Sequence, residues 1–211
     1  MTLAERLAAA GLFVSGTVEV APQDGLAPDV RRLLLLSPDE PRFWDIFQTA
    51  PEAGDGAPDP LDRWSARVIG GIAEAEGAHA YFPFGGPPWH PFVGWALRSG
   101  RSHASPVGLM VHVEAGLFVS WRGALGVAEA PALAPAPSPC PACDKPCLSA
   151  CPVGAFASGT YDVPRCKGWL GRPEGAACRD GGCLVRRACP VGRERRRPAQ
   201  SAFHMRAFHG A

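Results

Sequence analysis

The chain has 211 residues, of which 46% are hydrophobic, and a formal net charge of +1. That length suits one domain with a smaller module beside it, and no run of about 18 apolar residues is present, which excludes a helical membrane span. The small net charge hides an asymmetry: residues 1–133 carry nine Lys and Arg against fifteen Asp and Glu, and residues 134–211 carry twelve against five.

Leu3–Ala10 has the spacing of a short amphipathic helix with Gly11 as its C-cap. The opening MTLAERLAAAGLF contains Glu5 and Arg6 and does not read as a secretory signal. A cytoplasmic chain with reduced thiols is the expectation. Leu12–Val20 is strand-like. Arg32–Leu36 (RLLLL) reads as a strand covered on both faces. Pro41–Thr49 reads as a helix, and TAPEAGDGAPDP (49–60) as an exposed loop. Asp59 and Pro60 are the N-cap and first-turn signals of the longest helix. Leu61, Trp64, Val68, Ile69, Ile72 and Ala75 give it one apolar face, and Gly77 stops it. His79–Phe84 reads as a strand, GGPPWHPF (85–92) as a loop, and Gly108–Val113 with Leu117–Trp121 as a hairpin turning at Glu114–Gly116.

Residues 127–139 (VAEAPALAPAPSP) read as a Pro/Ala linker. Beyond it stand all eight cysteines, from Cys140 to Cys189. They fall in two groups, CPACDKPCLSACP (140–152) and CRDGGCLVRRACP (178–190), with Cys166 between them. Soft thiolates, four per site, suit iron–sulfur clusters. In the bacterial run C-x2-C-x2-C-x3-C-P the fourth cysteine ligates the other cluster. That rule assigns Cys140, Cys143, Cys147 and Cys189 to one 4Fe-4S cluster, and Cys151, Cys166, Cys178 and Cys183 to a second. The match has insertions. Three residues separate Cys143 from Cys147, four separate Cys178 from Cys183, and five separate Cys183 from Cys189. Gly181 and Gly182 are placed to absorb one of them. Structural zinc, which also takes four cysteines at spacings of two to four, stays open as an alternative. Leu148, Val153, Gly154 and Phe156 are the expected screen against water.

The module's positive charge has two readings. It offsets the negative charge of two thiolate-bound clusters, or it presents a surface to RNA or to an acidic redox partner protein. RERRRP (193–198) is its densest run. AQSAFHMRAFHGA (199–211) reads as a C-terminal helix docking through Ala199, Phe203 and Ala207.

The element order before the linker, SPVGLMVHVEAGLFVSWRGAL (105–125) and the cysteine tract together resemble the cobalamin-dependent epoxyqueuosine reductases. Those enzymes carry a two-cluster ferredoxin module after a cobalamin-binding unit. The hairpin followed by Arg122-Gly123 is also similar to animal cobalamin-processing proteins, whose fold is related to nitroreductases. The family keeps an acidic proton donor in the loop ahead of the hairpin. GGPPWHPF has no carboxylate there, and the position falls near Pro87.

The expected fold class is therefore α+β. An N-terminal α/β unit with a mixed, nitroreductase-like or cobalamin-processing-like sheet (1–126) is followed by the linker (127–139) and a bacterial-ferredoxin-like module (140–211). The expected function is electron transfer through two 4Fe-4S clusters, feeding an oxidoreductase reaction in or beside the first unit. The resemblance implies cobalamin as its cofactor, with flavin as runner-up. Arg122, as a phosphate or carboxylate ligand, and His90, as a proton donor or cofactor neighbour, are the candidate binding residues there. A non-enzymatic binding module with structural clusters or zinc is the alternative. His112, mid-strand, reads as a structural histidine.

Overall fold

The computed structural model describes residues 1–40 and 42–209. Thr2 caps α1 (Leu3–Ala9): its hydroxyl accepts from the Glu5 N–H at 3.3 Å, and the Glu5 carboxylate accepts from the Thr2 N–H at 2.8 Å. This is a reciprocal capping box. β1 (Leu12–Glu19) pairs antiparallel with β2 (Arg32–Pro38), with a register slip between Val14 and Gly16. The extra residue, Ser15, donates to the Leu35 carbonyl at 3.2 Å and accepts from Ser37 Oγ at 2.8 Å, so the bulge leaves no buried hydroxyl unpaired. Leu33 to Leu36 are fully buried, as a covered strand requires.

α2 (Arg42–Gln48) follows; Pro41, the first residue of that expected helix, lies outside the described residues. The expected loop at 49–60 contains a short helix, α3 (Pro51–Gly54). It turns because the buried Glu52 carboxylate is held by both Arg67 guanidinium donors, at 2.5 and 2.8 Å. α4 (Pro60–Glu76) is the longest helix. Asp59 stands at its N-cap in left-handed conformation (φ 51°) and makes no capping bond. Leu61, Trp64, Ile69 and Ile72 are buried; Ala73, not Ala75, completes the face. The strand expected over His79–Phe84 shortens to β3 (His79–Tyr81). After it comes an unexpected helix, α5 (Phe92–Arg98), with Phe92, Trp95 and Ala96 buried.

β4 (Ser102–Ala104) and β5 (Met110–His112) form a two-stranded ribbon. The expected hairpin is corrected here. His112 and Gly116 exchange backbone bonds at 3.0 and 2.9 Å, but Leu117–Trp121 forms no strand. Its apolar residues, Leu117 and Val119, are buried as irregular chain. The strand in this region is β6 (Gly123–Val127), which joins the main sheet in the order β1-β2-β6-β3. Every pair in that sheet is antiparallel, where a mixed sheet was expected. β2 and β3 do run in the same direction, but β6 lies between them and opposes both.

Two compact units result: residues 1–102 with 120–136, and residues 103–119 with 137–211. Segment 103–119, expected in the first unit, belongs to the second. Most of the expected linker is laid along the first unit, because its backbone groups are engaged there. Leu133 N–H donates to Thr17 Oγ1 at 2.9 Å, and Ala136 N–H donates to the Gly100 carbonyl at 3.0 Å.

The second unit contains α6 (Val163–Leu170), α7 (Ala176–Arg179), α8 (Leu184–Ala188) and α9 (Pro198–His209). 3-10 turns stand at Pro146–Leu148, Pro173–Gly175 and Arg193–Arg195. α9 does not dock through Ala199 and Ala207, which are exposed. Phe208 instead stacks on Tyr161 at 6.1 Å, with the Lys167 ammonium over its ring at 5.1 Å. Among the described residues no helix is long and apolar enough to cross a membrane.

Candidate metal centre

All eight cysteines are free thiols, and Cys147, Cys178 and Cys189 are buried. The first three enter from one winding loop. Its turns are closed by Cys143 N–H to Cys140 C=O at 3.2 Å and by Leu148 N–H to Lys145 C=O at 3.1 Å. Lys145, inside the lengthened gap before Cys147, takes the left-handed conformation (φ 55°) and points its N–H at Cys143 Sγ, 3.3 Å away. Gly182, in the four-residue gap before Cys183, has φ 85° and lies against Ser201, where a Cβ would come within 2.6 Å of the Ser201 side chain. Glycine is required there on both counts.

Electrostatics sort the thiols. Burial pushes the Cys147 thiol up, and the neighbouring Cys189, Cys140 and Cys143 push it further. Burial also raises the Cys166 thiol, as do Cys183, Cys151 and Cys178. Cys178 is raised by burial and then by Cys183 and Cys151. Coulomb coupling falls with distance. Cys147 thus feels Cys140, Cys143 and Cys189, and Cys166 and Cys178 feel Cys151 and Cys183, while Cys140, Cys151 and Cys183 all pack against the apolar cluster that holds Cys147 and Cys189. Thiols crowded in this way resist ionisation until a cation joins them, because a coordinating thiol is deprotonated outright.

The surroundings are apolar and donor-rich. Val107, Val111, Leu117 and Val185 pack with Cys147 and Cys189, and Leu109, Phe156 and Val191 pack against them. Of the expected screen, Phe156 takes part, but Leu148 is 59% exposed. Ala155 N–H donates to Cys151 Sγ at 3.2 Å. The Tyr161 hydroxyl lowers the Cys166 thiol by hydrogen bonding, and Leu184 N–H and the Trp169 indole do the same for Cys178. Tyr161 is held in place by Phe156, stacked at 4.6 Å and 5°. Sequence reasoning missed Tyr161 and Trp169. Their signal was weak: each lies within five residues of Cys166, on or just before the helix that carries it.

Two guanidiniums flank the thiols. Arg186 donates to the Leu117 carbonyl, and burial lowers its pKa against the opposing pull of Cys183. Arg196 donates to the Cys189 carbonyl at 2.7 Å and lies over the Phe118 ring at 5.7 Å. Its buried Nε–H has no hydrogen-bond partner among the described residues. An orphaned cationic donor beside Cys189 fits an anionic group bound there. Also among the described residues, no three His, Cys, Asp or Glu side chains stand ready to hold one metal ion. A four-iron cluster does not ask for that geometry, because each thiolate meets its own iron.

The candidate residues of the first unit have different partners. The Arg122 guanidinium is bound by the Asp62 carboxylate and by Ser65 Oγ at 3.0 Å, and lies over Phe84 at 5.9 Å. His90 stacks on Trp95 at 5.5 Å and meets Tyr81 edge-on at 5.2 Å. An open groove of about 770 Å³ in this unit is lined by Glu19, Arg31, Arg32 and Glu129 among others, and by neither candidate. His112 is fully buried, and its Nδ1 accepts from Glu114 and Ala115 N–H at 3.1 Å each, a structural arrangement.

Comparison with protein-family models, with curated proteins and with solved structures finds no match to this chain.

Proposed function

We propose that the second unit is a ferredoxin-like electron-transfer module holding two 4Fe-4S clusters, one on each set of four thiols. The observation that carries this reading is which cysteines act on which: Cys140, Cys143 and Cys189 on Cys147, and Cys151 and Cys183 on Cys166 and Cys178, so each group reaches across to a cysteine of the other stretch. That is the cross-ligation that the two-cluster spacing demands. Bound clusters would supply one-electron chemistry. The chain's own part is to furnish thiolates, exclude water with Val107, Val111, Leu117 and Val185, and aim N–H and O–H donors at sulfur. Lys145, Ala155, Tyr161 and Trp169 do the last of these.

A reductase role for the first unit, with cobalamin or flavin, rests on the family resemblance. Arg122 and His90 do not carry it, since one guanidinium is spent on Asp62 and the imidazole is packed between two rings. The module's electrons therefore pass to an acceptor in, or beside, that unit.

Anaerobic purification with iron, sulfide, zinc and cobalt counted per chain tests the reading. About eight iron and eight sulfide, with broad visible absorption bleached by dithionite, is the expected result. One or two zinc ions without sulfide would replace it with a zinc-stabilised binding protein.

A further inference from the structure

The surface nearest Cys147 and Cys189 carries an unusual combination of side chains. Leu148, directly after Cys147, is 59% exposed. Its 3-10 turn packs against α8, and α8 carries the exposed Arg187. Arg193, also exposed, opens the next turn after Cys189. The positive charges of Arg193 and Arg187 both bear on Arg196, which is fastened to the Cys189 carbonyl. The nearby carboxylates are occupied: Glu114 and Glu194 lie 3.7 and 3.9 Å from Arg195. Arg187 and Arg193 have no carboxylate partner among the described residues. An exposed leucine thus directly follows a candidate cluster cysteine, and two exposed guanidiniums without a carboxylate partner, of which Arg187 donates to the Ala177 carbonyl at 3.3 Å, act on the Arg196 that is fastened to Cys189.

We propose that this face is the electron port of the protein and that it docks an acidic one-electron carrier protein. The proposal rests on the two-cluster reading above. Electron-transfer encounters are small, so a single apolar spot with a charged rim is enough contact. Opposite charge supplies the steering and the encounter rate. Single-stranded nucleic acid would instead ask for exposed rings among the arginines. Here the ring within reach, Phe118, lies beneath the Arg196 guanidinium. In the step itself the carrier loses one electron and the site held by Cys140, Cys143, Cys147 and Cys189 gains it. No bond to the protein forms or breaks, and no protein group changes its proton.

The test uses the full-length, iron-loaded protein and a purified acidic flavodoxin. Calorimetry with the oxidised flavodoxin gives binding, and stopped flow with its reduced form gives the rate. The R187E/R193E protein should lose at least about tenfold in rate constant at low salt, and its binding heat should vanish. Wild-type rates should fall as salt rises, whereas those of the variant should not. Photoreduction by a small neutral deazaflavin, the midpoint potentials and the iron content should be unchanged, and R187K/R193K should restore the rate. Equal rates and equal binding in wild type and R187E/R193E would overturn the port while leaving the clusters standing. So would loss of binding to a single-stranded RNA with the flavodoxin rate intact. Wild-type protein without iron would overturn the cluster reading itself.

Discussion

Asp24 ties three parts of the first unit together. Its carboxylate accepts from the Arg98 guanidinium at 2.7 and 2.9 Å, from the Trp95 indole at 2.9 Å and from the Ala21 N–H at 2.7 Å. The Arg98 bonds, opposed by burial and aided by Ala21 and Trp95, hold its pKa at about 2. A carboxylate depressed in the folded state contributes stability above its unfolded pKa near 3.8, and that contribution is lost as pH falls toward 2. A shift of this size on a buried carboxylate corresponds to about 2 kcal/mol. Asp24→Asn should therefore cost about 2 kcal/mol in urea unfolding at pH 7. The gap to wild type should close between pH 4 and pH 2. A gap that persists unchanged at pH 2 would mean that the side chain's shape, not its charge, matters. Charge pairs of this kind cannot be read from a sequence: β2, α2, α3, α4 and β3 all stand between Asp24 and Arg98 along the chain.

At the scale of elements, the short hairpin His112–Gly116 has the sharpest consequence. Gly116 has φ 57°, and a Cβ on it would stand 2.2 Å from the Val191 carbonyl oxygen and 3.2 Å from Cys189 Sγ. The backbone of one element is thus pressed directly against the chain that presents Cys189, a candidate ligand. Gly116→Ala should cost about 2–4 kcal/mol, from left-handed strain plus overpacking against backbone. It should also cut iron from about eight toward four per chain by disabling the Cys189 site. Full iron content in the variant would show that Cys189 is not a ligand. The elements that sequence made legible are those with long periodic or capped patterns: α1, the buried β2 and α4 with its Gly77 stop. α5 was not legible because seven residues give fewer than two full repeats, behind a proline-rich approach. Leu117–Trp121 had a strand's composition, but burial beside Cys147 and Cys189, rather than sheet pairing, is what Leu117 satisfies. The position of the cysteine tract was legible because ligand chemistry fixes residue type and spacing even where no regular structure forms. Tyr161 and Trp169 were not, because their role depends on where the chain folds back.

At the scale of the whole molecule, the chain crosses between its two units three times, since residues 103–119 leave the first unit for the second before 120–136 return. A simple cut at the Pro/Ala stretch therefore does not separate the units. Residues 137–211 alone would lack Val107, Val111 and Leu117, which cover Cys147 and Cys189, and the Leu117 carbonyl that Arg186 binds. Exposing three buried aliphatic side chains removes about 5–8 kcal/mol of burial, comparable to the whole stability of a small domain. A fragment of residues 137–211 should accordingly emerge colourless and protease-sensitive under anaerobic loading. A fragment of residues 103–211 retains the cover and should load with iron, with the segment 120–136 digestible by trypsin or elastase as a free loop. Equal iron in both fragments would show that the cysteine loops fold on the clusters alone, and that the hairpin is accessory to the site. Loading of the longer fragment alone would show that the ribbon is an integral wall of the centre, although it precedes the first cysteine by more than twenty residues.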